Sequence, residues 1–251
     1  MEQRVIGTVM PVLELSLAAG ESVIAESGEL SWMSSTISLN TSTKGAGSKG
    51  LFHAVKRALG GGSFFMTEYR ADGGPGTVAF ATKLPGQILP IQVGNGVEYL
   101  IHHHGYLCGT PDVELSIAFQ QSLGAGIFGG DGFILQRVGG SGMAWVELDG
   151  EVVTYTLQPG ETLRAHPGHV AMLDASISFG ITHVPGIKNM VFGADGIFLA
   201  ALTGPGRVWL QSLPLPNLAH AVAPYLPQEQ PQQAGAAGVL GGIAGNIFGK
   251  S

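Results

Sequence analysis

The feature that most constrains the fold of this chain is an internal repeat. Shifted by 64 residues against itself, the sequence matches at 128–135 with 192–199 and again at 140–145 with 204–209. A weaker earlier copy has the same landmark, Gly74-Pro75-Gly76. Self-similarity of this kind is typical of folds in which successive units share a core. We therefore predict three copies of one β unit around a shared core, at about residues 5–83, 84–150 and 151–212.

Glycine-rich turns mark the ends of the predicted strands. The chain has 40 glycines and 14 prolines without a collagen-like period. Glycine adopts positive φ and permits close backbone approach at little cost, so each Gly-x-Gly predicts a turn before a strand. Three more turns are expected to open the units: Ala19-Gly20-Glu21, Pro85-Gly86-Gln87 and Pro159-Gly160-Glu161. The pattern predicts an all-β fold of many short strands.

Three predictions concern burial. Residues 143–148 are almost continuously apolar, which is typical of a strand covered on both faces. Residues 113–120 alternate between apolar and more polar side chains, as a half-buried strand does. Cys108, the one cysteine, is read as a small buried hydrophobic residue and not as a nucleophile.

Two segments depart from the repeated plan. Residues 44–62 contain a glycine-rich stretch, an amphipathic run and a triple glycine, which predict a flexible loop and a short helix. Residues 213–251 pass through a Pro/Gln-rich stretch into Gly- and Ala-rich sequence. We expect this tail to be flexible and to lie outside the β domain of residues 1–212.

Composition narrows the functional classes. Apolar residues make up 45% of the chain and charged residues 12%, which leaves little charge to solvate a monomer, so we expect a homo-oligomer. The predicted number of subunits is three or a multiple of three. The net charge of −6 argues against nucleic acid as a partner. The first residues lack the pattern of a signal peptide, and a single cysteine suits a reducing compartment, so the expected location is cytoplasmic.

The most basic stretch of this acidic chain contains Lys44, Lys49, Lys56 and Arg57. Cations near a glycine-rich loop and a helix N-terminus could hold a phosphate or contact an anionic membrane surface. The alternative is a solvated face with no binding role.

The same stretch carries a G-x-G-x-x-G pattern at Gly45, Gly47 and Gly50, with Glu68 at a distance suited to a ribose contact. Its neighbours look like antiparallel strands and not like a βαβ unit, so no cofactor is predicted.

Two histidine pairs raise the alternative of a metal centre. His166 and His169 follow Gly160 in a pattern close to a metal-site motif of cupins, and His102 and His104 would share one face of a strand. No glutamate follows at a suitable distance. The spacing from Gly160 to Gly168 also equals that from Gly20 to Gly28, which indicates structural turns, so no metal is predicted.

Asp131 and Asp195 occupy matching places in two repeats. Paired carboxylates could serve acid–base chemistry, but an aspartate at the same Asp-Gly position in successive units is more simply a turn residue. The sequence therefore predicts no catalytic residue and no enzyme.

Three segments, 28–33 (GELSWM), 84–90 (LPGQILP) and 204–212 (GPGRVWLQS), resemble a family of prokaryotic proteins of unknown function. Its eukaryotic relatives are named for altered inheritance of mitochondria, and the resemblance covers about residues 5–212. It implies a double-stranded β-helix like that of the tryptophan RNA-binding attenuation protein, triplicated in one chain and commonly self-associated. It implies no catalytic residues, and RNA binding does not follow from the fold.

The leading functional hypothesis is a non-catalytic oligomeric scaffold or interaction protein, acting near a membrane through residues 44–57 and the tail. One alternative is a module that binds a small ligand or nucleic acid between units. The other is a cupin-like metalloenzyme that uses His166 and His169.

Overall fold

The computed structural model describes residues 1–42, 66–121, 132–183 and 198–226, and the description below concerns these ranges. The predicted all-β class is confirmed. The strands are β1 (Glu2–Ile6), β2 (Val12–Leu17), β3 (Ser22–Glu26), β4 (Trp32–Met33), β5 (Ile37–Ser42), β6 (Met66–Ala71), β7 (Gly76–Ala81), β8 (Gly86–Val93), β9 (Tyr99–His102), β10 (Tyr106–Gly109), β11 (Val113–Gln121), β12 (Phe133–Gly140), β13 (Gly142–Asp149), β14 (Val152–Leu157), β15 (Thr162–Ala165), β16 (Val170–Asp174), β17 (Ser178–His183), β18 (Phe198–Thr203) and β19 (Gly206–Gln211).

The strands form four antiparallel sheets. Sheet I has the order β1-β2-β7-β4, and sheet II has the order β5-β6-β3-β10-β13-β8. Sheet III has the order β11-β12-β9-β16-β19-β14, and sheet IV has the order β15-β18-β17. Because every ladder is antiparallel, short turns connect most neighbours, as the glycine pattern predicts.

Three successive sets of six strands, β2–β7, β8–β13 and β14–β19, pair internally in the same way. In each set the first strand pairs with the sixth, the second with the fifth, the fourth with the fifth, and the third with the sixth. Adjacent sets are joined by β3 pairing with β10 and by β9 pairing with β16.

We expected a single shared core, but the buried apolar residues that the structure describes form three clusters. Each is centred on one set, with Phe80 in the first, Val146 in the second and Leu202 in the third. Each set contributes three strands to each of two sheets, and apolar side chains from these two groups of strands form its cluster. Strands at the junctions also send side chains into a neighbour's cluster: Cys108 of β10 packs in the first, and Met172 of β16 packs in the second.

The burial predictions are confirmed. Trp145 of β13 is 1% exposed, and the run from Ala144 to Asp149 is buried throughout. On β11, Val113 and Leu115 are buried while Glu114 is exposed. Cys108 is fully buried, and burial raises the pKa of its thiol well above the ordinary value. Its role is therefore packing.

Glycine is required at the Gly-x-Gly turns, as predicted. Gly140 has a φ of +79°, and a Cβ at this residue would lie 2.3 Å from the Asp112 carbonyl oxygen. Gly206 has a φ of +145°. L-residues rarely adopt either φ, so these turns depend on glycine.

The three expected opening turns do not occupy equivalent places in their sets. Gly20 and Gly160 both connect the first and second strands of their sets, with φ values of +84° and +82°. Pro85-Gly86-Gln87 instead lies at the start of β8, at the boundary of two sets. The matching turn of the second set is Gly94-Asn95-Gly96, which has no Pro-Gly-Glu sequence. Gly86 is required for a different reason, because a Cβ there would lie 2.1 Å from the Leu148 carbonyl oxygen.

The chain divides into two compact units, Met1–Leu218 and Ala219–Ser251. An α-helix, α1 (Leu215–Val222), and a 3-10 helix at Ala223–Tyr225 follow β19. The sequence predicted only a flexible tail here, and a boundary at residue 212. At the start of this segment the Leu213 N–H donates to the Asp149 carbonyl over 3.2 Å. Another 3-10 helix spans Pro167–His169.

Candidate functional site

Four ionisable side chains meet beside the end of β7, and we call Glu26, Glu29, Lys83 and Glu147 the acidic cluster. Glu26 ends β3, Glu29 lies in the connection from β3 to β4, and Glu147 belongs to β13. Lys83 follows β7 in the link to β8. The cluster thus brings together the first set and a central strand of the second.

Lys83 holds two of the carboxylates. Its Nζ lies 2.5 Å from Glu29 Oε1 and 3.8 Å from Glu147 Oε1. Its backbone N–H donates to Glu147 Oε2 over 3.2 Å. The Lys83 side chain is 52% exposed, whereas the side chains of Glu29 and Glu147 are 9% and 4% exposed. The lysine therefore closes the cluster on its solvent side.

Glu26 is held from the second set. The fully buried Gln136 of β12 donates its Nε2–H to Glu26 Oε1 over 3.2 Å. A half-buried carboxyl loses part of its hydration, and one amide donor restores little of it.

Burial shifts the proton affinities of the cluster. It raises the pKa of Glu147 to about 7, because desolvation outweighs the Lys83 N–H and ammonium. It raises the pKa of Glu26 to about 7 for the same reason, against the Gln136 hydrogen bond. For Lys83, burial acts to lower the pKa, but the hydrogen bond to Glu29 and the nearby carboxylates outweigh it, so the pKa is raised.

Two carboxyls that titrate near neutrality beside one ammonium can take up and release protons. Asp149, further along β13, joins them because burial raises its pKa to about 6. Groups with pKa values shifted in this way occur both in sites of acid–base chemistry and in structural ion-pair networks.

The sequence contained a signal for this cluster. Glu147 is the one charged residue in the run 143–148, which was predicted to be covered on both faces. A charged side chain in such a strand needs a partner. Lys83, 64 residues earlier, has no local pattern that connects it to Glu147.

His166 and His169 are 6.0 Å apart between ring centroids, at the 3-10 helix that follows β15. His169 Nδ1–H donates to the Gln211 carbonyl over 2.7 Å, and its Nε2 lies 3.4 Å from the amide nitrogen of Asn217. Burial, and then His169, lower the pKa of His166. Within the described ranges, no three His, Cys, Asp or Glu side chains are placed to hold a metal ion.

The prediction that His102 and His104 share one face of a strand is wrong. β9 ends at His102, and His104 lies in the following turn with its ring centroid 3.5 Å from that of His103. His102 Nε2 donates to the Glu147 carbonyl over 3.4 Å. Burial lowers the pKa of His102 to about 3, so the ring is neutral at physiological pH.

The predicted anion or membrane contacts Lys44, Lys49, Lys56 and Arg57 lie outside the described residues, as do Gly45, Gly47, Gly50, Asp131 and Asp195. Glu68, read as a potential ribose contact, is described. It lies on β6 between two antiparallel neighbours and accepts a 2.7 Å hydrogen bond from Ser22 Oγ. The described helices include none with the length and apolar character needed to cross a membrane.

A groove of about 410 Å³ lies where the N-terminal hairpin meets the starts of two sets. Its walls include Val5, Val9, Pro11, Ile88 and the backbone of Gly150. Val5 is 44% exposed and Val9 is 67% exposed. Neighbouring Ile6 and Met10 are 41% and 52% exposed, so residues 5–10 present an apolar surface to solvent.

The chain has similarity to known proteins along most of its length. A family described as "Mitochondrial biogenesis AIM24" matches residues 3–213. An uncharacterized protein of Streptococcus pyogenes serotype M6 is 27% identical over 221 residues, which cover 86% of this chain and 87% of the relative. A crystal structure of a Streptococcus pyogenes protein has a TM-score of 0.70 at 23% identity, covering 90% of this chain and 99% of that one. The last comparison concerns the fold alone.

Proposed function

This chain belongs to the mitochondrial biogenesis AIM24 family, and on that premise we propose that it is a non-catalytic oligomeric scaffold or interaction protein. The observation that carries the proposal is the exposed apolar surface of residues 5–10. Val5, Val9 and Met10 are each more than two-fifths exposed. Apolar side chains clustered in this way on a folded protein mark a surface that binds another protein.

The proposed architecture is three copies of one double-stranded β-helix unit, one per set of strands. The identical internal pairing of β2–β7, β8–β13 and β14–β19 supports it. A chain built from such units offers repeated, rigid surfaces, which suits a scaffold.

The proposed assembly is a trimer or a multiple of it. Size-exclusion chromatography with light scattering tests this on the full chain, whose monomer has a mass of 25.9 kDa. We expect a mass of three chains or a multiple at micromolar concentration. A particle that stays at the mass of one chain across the concentration range would contradict the oligomeric scaffold.

The proposal includes a cytoplasmic location and peripheral contact with anionic membranes through Lys44, Lys49, Lys56 and Arg57. A second candidate, a small-ligand binding module, is favoured by the groove, whose volume of about 410 Å³ lies within the range of ligand sites.

A further inference from the structure

Among the strands that the structure describes, two at the ends of the series of sets lack the partner that their counterparts have. The third strand of the second set, β10, pairs with β3 of the first set. The third strand of the third set, β16, pairs with β9 of the second set. Within the described residues, β4 is one edge of sheet I and β15 is one edge of sheet IV, and no ladder joins them.

The register that would join these edges follows from the two existing junctions. The segments 24–34, 100–110 and 164–174 have equal length and end in the same turn, closed by N–H donation to the carbonyls of Ser34, Thr110 and Asp174 over 3.1, 3.0 and 3.0 Å. At the junctions Gly109 faces Ile24, and Leu173 faces Leu100. The same rule places Met33 opposite Arg164 and Trp32 opposite Ala165.

Side chains are buried at the two junctions between sets, whereas the corresponding side chains of β4 and β15 are more exposed. Cys108 and Met172, which match Trp32 in position, are 0% and 1% exposed, whereas Trp32 is 50% exposed. On the other side of the junction, Leu100 is 7% exposed, whereas the matching Arg164 is exposed. The edges of β4 and β15 therefore do not cover each other within the chain, whereas β10 covers β3 and β16 covers β9.

The third core also has an open side. Leu163 and Ala165 of β15 pack against it but stay half-buried. Cys108 enters the core of the preceding set, and Met172 does the same. By the same geometry the indole of Trp32 is suited to enter a third core, next to β15.

We propose that β4 of one copy pairs antiparallel with β15 of a second copy, with Trp32 covering the third core of that copy. The inference rests on the proposed oligomeric function and names an interface separate from the apolar surface of residues 5–10. A second copy is the occupant because both junctions within the chain join a third strand of one set to a second strand of another. Among the described strands, each chain leaves one strand of each kind without such a partner. Such a head-to-tail contact generates a closed ring when its rotation allows closure. It also removes an exposed tryptophan from a bare sheet edge.

Cysteine cross-linking tests the contact and its register. Met33→Cys and Arg164→Cys are made as separate variants of the full chain, mixed, and oxidised. The native Cys108 does not interfere because it is fully buried. We expect a disulfide-linked dimer on a non-reducing gel for the mixture and not for either variant alone. A mixture of Met33→Cys with Val153→Cys, an exposed position on β14, is the matched control and should remain monomeric on the gel.

The double variant with both cysteines in one chain separates the competing arrangements. Linked multimers support the contact between copies. An internally linked monomer overturns it, because the two edges would then pair within one chain. No cross-link in either experiment also overturns it.

Trp32→Glu gives an independent readout, with Val153→Glu as its control because the two native side chains are equally exposed, at 50%. Light scattering should give a mass of 25.9 kDa for Trp32→Glu and the wild-type oligomer for Val153→Glu, with unchanged circular dichroism in both. An oligomer that survives Trp32→Glu overturns the interface and leaves the scaffold function standing. A monomeric wild type overturns both.

Discussion

Glu147 and Gln211 occupy the same place in two sets, five residues after Gly142 and Gly206. Both are buried, at 3% and 4% exposed. Gln211 satisfies its amide by donating to the Gly168 carbonyl over 3.1 Å and accepting from the Asp149 N–H over 3.0 Å. Glu147 depends on Lys83. The fold therefore accepts a neutral amide at this position.

We predict that Glu147→Gln stabilises the protein at alkaline pH. Burial raises the folded pKa of Glu147 to about 7 from an ordinary value of 4.5. As the pH rises through that window, the unfolded carboxyl ionises before the folded one, so wild-type stability falls and then levels off above the folded pKa. The variant has no ionisable group at this position. Its free energy of unfolding at pH 8 should therefore exceed that of the wild type by an amount on the order of 2 kcal/mol.

Urea unfolding at pH 5 and pH 8 measures this difference. The gain should shrink toward pH 5, where both states of the wild type approach the protonated form. Glu114→Gln on the exposed face of β11 serves as a control and should change stability little at either pH. An equal effect of Glu147→Gln at both pH values would contradict the buried-carboxyl explanation.

At the scale of elements, β4 is short because side chains replace part of its ladder. Ser31 Oγ accepts the Ala81 N–H over 2.8 Å, and Ser34 Oγ accepts the Thr77 N–H over 2.9 Å. The backbone N–H groups of the same two serines donate to β7. Two hydroxyls thus fasten a two-residue strand to its neighbour.

We predict that the double change Ser31→Ala and Ser34→Ala loosens β4. Each lost acceptor leaves an amide of β7 without its partner, at a cost of about 1 kcal/mol each. Hydrogen exchange should be faster at the amides of Thr77 and Ala81, with smaller changes in β13. Ser116→Ala, at an exposed position of β11, should leave exchange unchanged. Unaltered protection at both amides would show that the hydroxyls do not hold the strand.

At the scale of the whole molecule, charge is unevenly distributed along the chain. The net charge is −6, yet Lys44, Lys49, Lys56 and Arg57 fall within 14 residues. A cluster of cations binds anionic lipid with an affinity that salt weakens, since the attraction is screened.

We predict that the full chain floats with vesicles containing anionic lipid at low salt and less so at high salt. A variant with glutamine at Lys49, Lys56 and Arg57 should float much less, and vesicles of neutral lipid should capture neither protein. Equal absence of flotation for both proteins, whatever the salt, would contradict membrane contact.

Local patterns in the sequence predicted several strands and the Gly-x-Gly turns. Alternation identified β11, continuous apolar character identified β13, and Gly-x-Gly located the turns before β13 and β19. The turn at Gly86 is not equivalent to those at Gly20 and Gly160, because a Pro-Gly pair also suits the link between two sets. The acidic cluster was missed because Glu26, Lys83 and Glu147 are distant in the chain and come together only through sheet pairing.

Local sequence patterns determined some features of this fold, and packing between distant segments determined the others. Apolar alternation and glycine conformation act over a few residues, so the sequence alone determined the all-β class, the Gly-x-Gly turns and the burial patterns of β11 and β13. Which strand edges meet depends on packing between distant segments. The tertiary structure alone therefore decided that three cores form, that Lys83 reaches Glu29 and Glu147, and that β4 and β15 are edges.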